Sequence, residues 1–419
     1  MAVLPSPMEP ESLKQIFQQE FSKMVAVISN RFGLAHIELA EDIVSDTFLL
    51  AAETWGVRGQ PPNPTAWLYA VARQKTLYQF RRRKLLDQKI LPELSNRSAE
   101  TDDWTTLNFS EETIRDSQLQ MMFAVCTPTI APEAQIGLAL RILCGFGIDE
   151  IAEAFLSNKE TINKRLFRAK EKLRLANVTM TLPPEGELIR RLDNVLHVIY
   201  LLFNEGYYSK TRNQTLQREL CLEAMRLGTR LIEYERTNQP KTSALMALMC
   251  FHASRFDARH QSGDELPLLY EQQNEALWNP ELIQQGFLFL RQSMQGDQVS
   301  SYHLEARIAS WHCQKEDTPD KWTAILDLYD QLIRVNDSPS VALNRTYALY
   351  KVSGPQAALA VAEKLTFTLN HFYFVLLGEL YETSNVLKAV GSYRQAYALA
   401  KTPADRQRIQ LRLDKLTQL

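Results

Sequence analysis

A chain of 419 residues, 45% hydrophobic and 23% charged, is long enough for two or three domains and has the balance of a globular protein. Its formal net charge of −2 excludes a uniformly basic nucleic-acid binder, so any such site must be a local patch on a near-neutral body. Five scattered cysteines give neither zinc spacing nor a disulfide framework, the N-terminus lacks a secretory pattern, and no apolar run is long enough to span a bilayer, so a reduced, cytoplasmic, membrane-free protein is expected.

Apolar residues recur at helical spacing nearly throughout, and the expected fold class is all-α. In "IELAEDIVSDTFLLAAETW" (Ile37–Trp55), Ala40, Ile43, Val44, Phe48, Ala51, Ala52 and Trp55 form one apolar stripe. Glu38, Asp42 and Asp46 form an acidic row, either simply solvated or facing a positive partner. "GVRGQPPNP" (Gly56–Pro64) predicts a rigid loop, with Asn63 and Pro64 as cap and first residue of the next helix. That helix, "TAWLYAVARQKTLYQFRRRK", starts aromatic and ends basic. Arg73, Lys75, Arg81, Arg82, Arg83 and Lys84 are spaced to follow a phosphate backbone, while Trp67, Tyr69 and Tyr78 either stack on unpaired bases or fill the core. "PELSNRSAETDDWTTLNFSEET" (Pro92–Thr113) has no apolar stripe and reads as a linker.

In "IDEIAEAFLSNKETINKRLFRAK" (Ile148–Lys170) a short helix over Ile148–Ala154 is followed by Ser157 and, three residues on, Glu160. That pattern predicts a capping box and a second helix from Asn158. Ile162, Leu166 and Ala169 share one face, with Thr161, Lys164, Arg165 and Arg168 opposite. Ala152 and Ile162 stand ten apart, as in a helix-turn-helix; a plain helix hairpin with a solvated basic face fits the same pattern. Such turns commonly carry glycine where Leu156 stands, so this one is expected to avoid a left-handed conformation.

Beyond "VTMTLPPEGE" (Val178–Glu187) the chain reads as a series of helices. Leu343 and Tyr347 recur as Leu377 and Tyr381, and Gly378, Ala389, Tyr393 and Ala396 fit the small and large positions of a tetratricopeptide helix pair; an ordinary helix hairpin is the alternative. "LFNEGYYSK" (Leu202–Lys210) reads as a buried polar network rather than a ligand pocket. The seven histidines have no metal-ligand spacing, and no phosphate loop, nucleophile elbow or dinucleotide glycine pattern occurs; no metal, cofactor or catalytic residue is expected.

Taken in order, "LAEDIVSDTFLLAAETW", "NPTAWLYAVARQKTLYQFRRRK" and "EAQIGLALRILCGFGIDEIAEAFLSNKETINKRLFRAKEKLR" resemble a bacterial extracytoplasmic-function sigma factor. "VIYLLFNEGYYS", "LMALMCFHASRFDAR", "LYEQQNEALWN" and "SPSVALNRTYAL" resemble the C-terminal extension of the group with a tetratricopeptide-like tail. The resemblance implies a first DNA-engaging domain over residues 10–88, a linker over 89–115 that threads toward the polymerase active-site channel, a second DNA domain over 116–177 and a helical tail over 185–419. Asp42 and Asp46, with Glu38 nearby, would dock on the β′ clamp of RNA polymerase, and the β subunit would be a further contact. Asn63, Arg73, Gln74, Lys75, Tyr78 and Arg81, with Arg82 beside them, would recognise and open the −10 element. The family often has Asn and then Asp where Gln74 and Tyr78 stand, which leaves the base preference open. Lys159, Thr161, Asn163, Lys164, Arg165 and Arg168 would read the −35 element. The implied protein is no enzyme: it positions core polymerase on promoter DNA, and its tail regulates or stabilises it and presents a face for a peptide or protein. The alternative is a helix-turn-helix regulator that acts without polymerase and uses its tail to bind a ligand or protein.

Overall fold

The computed structural model describes residues 13–90, 107–208, 214–259, 268 and 270–417, with the side chains of residues 83–90, 214–215 and 403–404 outside that set, Arg83 and Lys84 among them. Every regular element among the described residues is a helix, as expected of an all-α chain, and the chain divides into two compact units, Met1–Gly206 and Tyr207–Leu419.

The first unit is built round α1 (Leu13–Phe32), whose Phe21, Met24, Val25 and Ile28 are fully buried. Gly33, at φ 83°, ends it and turns the chain into α2 (Ile37–Arg58), which is followed by α3 (Pro64–Ile90), α4 (Glu111–Val125) and α5 (Pro132–Leu138). α1 packs on α2, α3 and α4. The stripe on α2 is buried from Ala40 to Ala51, while Ala52 is exposed and Trp55 half-buried; Thr47 is buried in line with it, its hydroxyl donating to the Ile43 carbonyl at 2.7 Å. The predicted loop is shorter than expected, because α2 continues through Gly56 and stops only at Gly59, at φ 80°. Asn63 caps α3 as predicted, its Oδ1 accepting from the Ala66 amide at 2.9 Å.

Much of the expected linker, residues 92–106, lies outside the described residues, but its last part is packed. Leu107 is buried, Phe109 stacks on Tyr69 at 4.6 Å, and Ser110 caps α4. A π-turn over residues 139–143 leads to α6 (Ile148–Ala154), α7 (Lys159–Leu175) and α8 (Glu185–Tyr207). Arg191 of α8 donates to the Phe123 carbonyl at 2.9 Å, and Asn194 reaches the Cys126 carbonyl at 2.5 Å and Gln135 at 3.0 Å, so α8 is pinned to the ends of α4 and α5.

Two buried carboxylates tie this unit across long stretches of chain. Glu20 is paired with Lys23 at 2.8 Å and accepts from the Tyr69 hydroxyl. Glu41 accepts from Arg141 Nε at 3.0 Å and from Lys170 of α7.

The second unit contains α9 (Gln214–Glu233), α10 (Pro240–Ala253), α11 (Phe256–Arg259), α12 (Pro280–Ser293), α13 (Ser301–Trp311), α14 (Pro319–Val335), α15 (Pro339–Ala362), α16 (His371–Tyr381), α17 (Val386–Leu399) and α18 (Pro403–Thr417). α10 is buried on all sides from Thr242 to Phe251, as an apolar helix without a polar face must be, and it packs on α9, α12 and α13. Gly354, at φ 80° and followed by Pro355, breaks α15 into two segments. α16 and α17 form an antiparallel pair with Gly378 directly under the Tyr393 ring and Ala389, Tyr393 and Ala396 fully buried. Among the described residues no helix is long and apolar enough to cross a membrane.

Two outcomes follow from this packing. Removing the buried Glu41 strands two cations, so in urea unfolding Glu41→Ala should cost about 3 kcal/mol, whereas exposed Glu38→Ala should cost under about 0.5 kcal/mol; equal losses would contradict the ion cluster. A Cβ on Gly378 would stand 2.8 Å from the Tyr393 ring, so Gly378→Ala should destabilise the chain by about 1–3 kcal/mol in the same measurement.

Candidate nucleic-acid interface

The turn between α6 and α7 is closed by two backbone bonds. Ser157 N–H donates to the Ala152 carbonyl at 2.8 Å, and Leu156 N–H donates to the Glu153 carbonyl at 3.1 Å. This is the Schellman pairing, and it places Leu156 in the left-handed region at φ 46°. The sequence expectation that Leu156 avoids that conformation is therefore overturned. Its side chain is 61% exposed, so the strain is carried without disturbing the core. The cap also moves by one residue. Ser157 spends its amide on closing α6, and Asn158 caps α7, its Oδ1 accepting from the Thr161 amide at 2.8 Å.

α7 buries Ile162, Leu166, Ala169 and Leu173 against α5 and α6, where Gly137 gives Leu166 room. Its other face presents Lys159, Thr161, Asn163, Lys164 and Arg168 to solvent. Arg165 is half-buried, its guanidinium 5.6 Å above the Phe155 ring. Lys164 pairs with Glu160 at 2.6 Å and Lys159 with Asp149 at 2.7 Å. Both pairs are open to water, so each is weak and either cation can exchange its carboxylate for a phosphate.

On α3, Arg73, Gln74, Tyr78, Arg81 and Arg82 are exposed and Lys75 is half-buried. The three aromatics separate. Trp67 packs edge-on against Trp55 at 5.4 Å. Tyr69 is stacked on Phe109 with its hydroxyl held by Glu20; burial first, and then that carboxylate, push its pKa up. Tyr78 is 65% exposed and is the one of the three still free to stack on a base. Glu38, Asp42 and Asp46 are all exposed on α2, and Asp46 lies 3.8 Å from Lys75.

Sequence reasoning missed Glu41 and Lys170. The signal was present: Glu41 follows Ile37 by four and precedes Val44 by three and Phe48 by seven, which puts a carboxylate inside the apolar stripe.

The fold and these faces define an all-helical protein whose first unit exposes two basic helices and one acidic row. A family model described as a family of unknown function, DUF6596, matches residues 191–294. The uncharacterized protein R00370 of Rhizobium meliloti (strain 1021) is 32% identical over 390 residues, which span 91% of this chain and 90% of that protein. The chain belongs to the same family as that Rhizobium protein. No solved structure matches it.

The left-handed leucine can be tested alone. Leu156→Gly should raise stability by about 0.5–1 kcal/mol in thermal unfolding, because glycine takes this conformation without strain and little apolar contact is lost; a lower melting temperature would show that the leucine side chain matters more than its backbone.

Proposed function

We propose that the chain is an alternative sigma factor of the extracytoplasmic-function type, acting in the cytoplasm. In this reading the acidic row Glu38, Asp42 and Asp46 docks on the polymerase clamp, the exposed face of α3 meets the −10 element, and α6 with α7 forms a helix-turn-helix that meets the −35 element. The observation that carries the proposal is the exposed cationic face of α7, held on α6 by a closed turn and backed by a buried apolar face. The second unit is proposed to consist of tetratricopeptide-like pairs, supported by the close approach of Gly378 and Tyr393, and to regulate or stabilise the factor.

The test uses the full chain with core RNA polymerase. Asp42→Lys with Asp46→Lys should abolish polymerase binding and leave DNA binding intact. Lys164→Glu with Arg165→Glu should keep polymerase binding, lower promoter-directed transcription at least about tenfold and reduce the salt slope of DNA binding by about 0.9 per lost phosphate contact. A chain that binds specific DNA but ignores polymerase would replace this reading with that of an independent regulator.

A further inference from the structure

In the second unit, buried polar atoms without protein partners gather round one ring. Arg255 follows α10 and is only 6% exposed. Its guanidinium carbon lies 5.6 Å from the centre of the Tyr270 ring. One terminal nitrogen is 3.3 Å from His252 Nδ1, and Nε has no partner. Trp278 Nε1, Gln273 Oε1 and His312 Nδ1 are also buried and without partners. The rings of His312 and Trp278 lie 5.1 and 6.0 Å from Tyr270, and Gln273 closes the short turn that begins at Tyr270, its amide 3.2 Å from the Tyr270 carbonyl.

The neighbouring lysine shows what a satisfied cation looks like in the same place. Lys321 is buried too, but its Nζ donates to the Gln314 carbonyl at 2.5 Å, the Glu316 carbonyl at 3.3 Å and the Tyr270 hydroxyl at 3.2 Å, with Asp317 at 3.7 Å. Asp317 is itself held by Lys351 at 2.6 Å. Arg255 has no such set: among the described residues no carboxylate stands at ion-pair distance from it. Its two imidazole neighbours are uncharged. Burial, then Arg255, holds His252 well below the usual range and takes His312 down to about 3.

A desolvated guanidinium without a counter-charge is costly, and orphaned donors seldom collect in one place by accident. We infer that Arg255, Gln273, Trp278 and His312 form a binding site in the C-terminal unit for a small carboxylate- or phosphate-bearing molecule with a flat apolar body. Arg255 takes the anion. The Trp278 N–H and a His312 ring nitrogen share its oxygens, the Tyr270 ring supplies an apolar wall, and Gln273 Oε1 accepts a donor from the ligand. Arg255, Gln273 and Trp278 fall within the stretch matched by the family model. At the edge of the cluster the Tyr207 ring is 4.9 Å from His252. The inference stands apart from the sigma-factor reading, since it needs neither polymerase nor DNA.

The experiment is titration of the full chain with benzoate, phenyl phosphate, acetate and inorganic phosphate, followed by calorimetry and tryptophan fluorescence. Saturable binding of benzoate or phenyl phosphate is expected, tighter than that of the matching bare anion, and the tighter of the two assigns the anionic group. Trp278→Phe removes one donor and the indole's five-membered ring, so it should lower the melting temperature modestly while the folded chain binds about tenfold more weakly. Arg255→Met should abolish binding and raise the unliganded melting temperature, because it removes an uncompensated charge. Absence of saturable binding at millimolar concentration for all four probes, or affinity unchanged by both substitutions, overturns the inference, as does an Arg255→Met chain that binds normally.

Discussion

A buried carboxylate on α2 holds the first unit in register. Glu41 has left water for a site where burial of a lone charge costs several kcal/mol, and it is stable there because cations from two distant segments meet it. Arg141 serves a second purpose: its Nη1 donates to the Phe146 carbonyl at 3.1 Å, and its guanidinium lies 5.0 Å above the Phe21 ring. One contact thus joins α1, α2, the turn before α6, and α7. An apolar cluster of equal size would give similar stability but would tolerate sliding. An ion cluster penalises each alternative register, since any shift strands a charge. The ion cluster and the buried apolar face of α7 together fix the direction in which α7 shows its basic face.

The helices themselves were legible because burial repeats at helical spacing. The stripe Ala40–Ala51 on α2 and the face Ile162–Ala169 on α7 are both where periodicity puts them. What periodicity does not carry is which polar groups are consumed inside the protein. Ser157 and Asn158 are both good caps on paper. The choice between them was made by the Schellman closure of α6, which claims the Ser157 amide that a capping box would have offered to Glu160. Leu156 adopts a glycine-like conformation because the same closure leaves it no other, and its exposed side chain makes no objection. Trp67 and Tyr69 were ambiguous between base stacking and packing; Trp55 and Phe109, the latter from the end of the expected linker, settled both as packing.

The second unit uses burial in two contrasting ways. Where its helices meet tightly, small residues bring backbone against ring or thioether: Gly286 sits on Phe251, Gly228 on Met246 and Gly378 on Tyr393. These contacts leave no polar atom orphaned: the Tyr393 hydroxyl donates to Glu382 at 2.6 Å, and the other rings and thioethers have none to satisfy. Around Tyr270 the opposite holds, and cationic, indole and amide groups are buried together with only part of their hydrogen bonds made. The tight helix pair near the C-terminus was readable, because a Gly followed at helical spacing by Ala and Tyr leaves a mark in sequence. The cluster round Tyr270 was not, because its members come from four separated segments and each has an ordinary local setting.

The net charge of −2 conceals a sorting of cations that only the fold makes visible. Arg168 and Lys170 stand two residues apart in one basic run. On a helix that spacing turns them to different faces, so Arg168 is open to solvent while Lys170 is spent on Glu41. Lys159, Lys164 and Lys75 are also paired, but with carboxylates that remain wet, at little energetic advantage. A polyanion can displace those carboxylates at small cost, and it cannot reach Glu41. The solvent-facing cations on α3 and α7 are therefore available in a way that Arg141 and Lys170 are not, and availability, rather than the count of basic residues, is what a nucleic-acid interface requires.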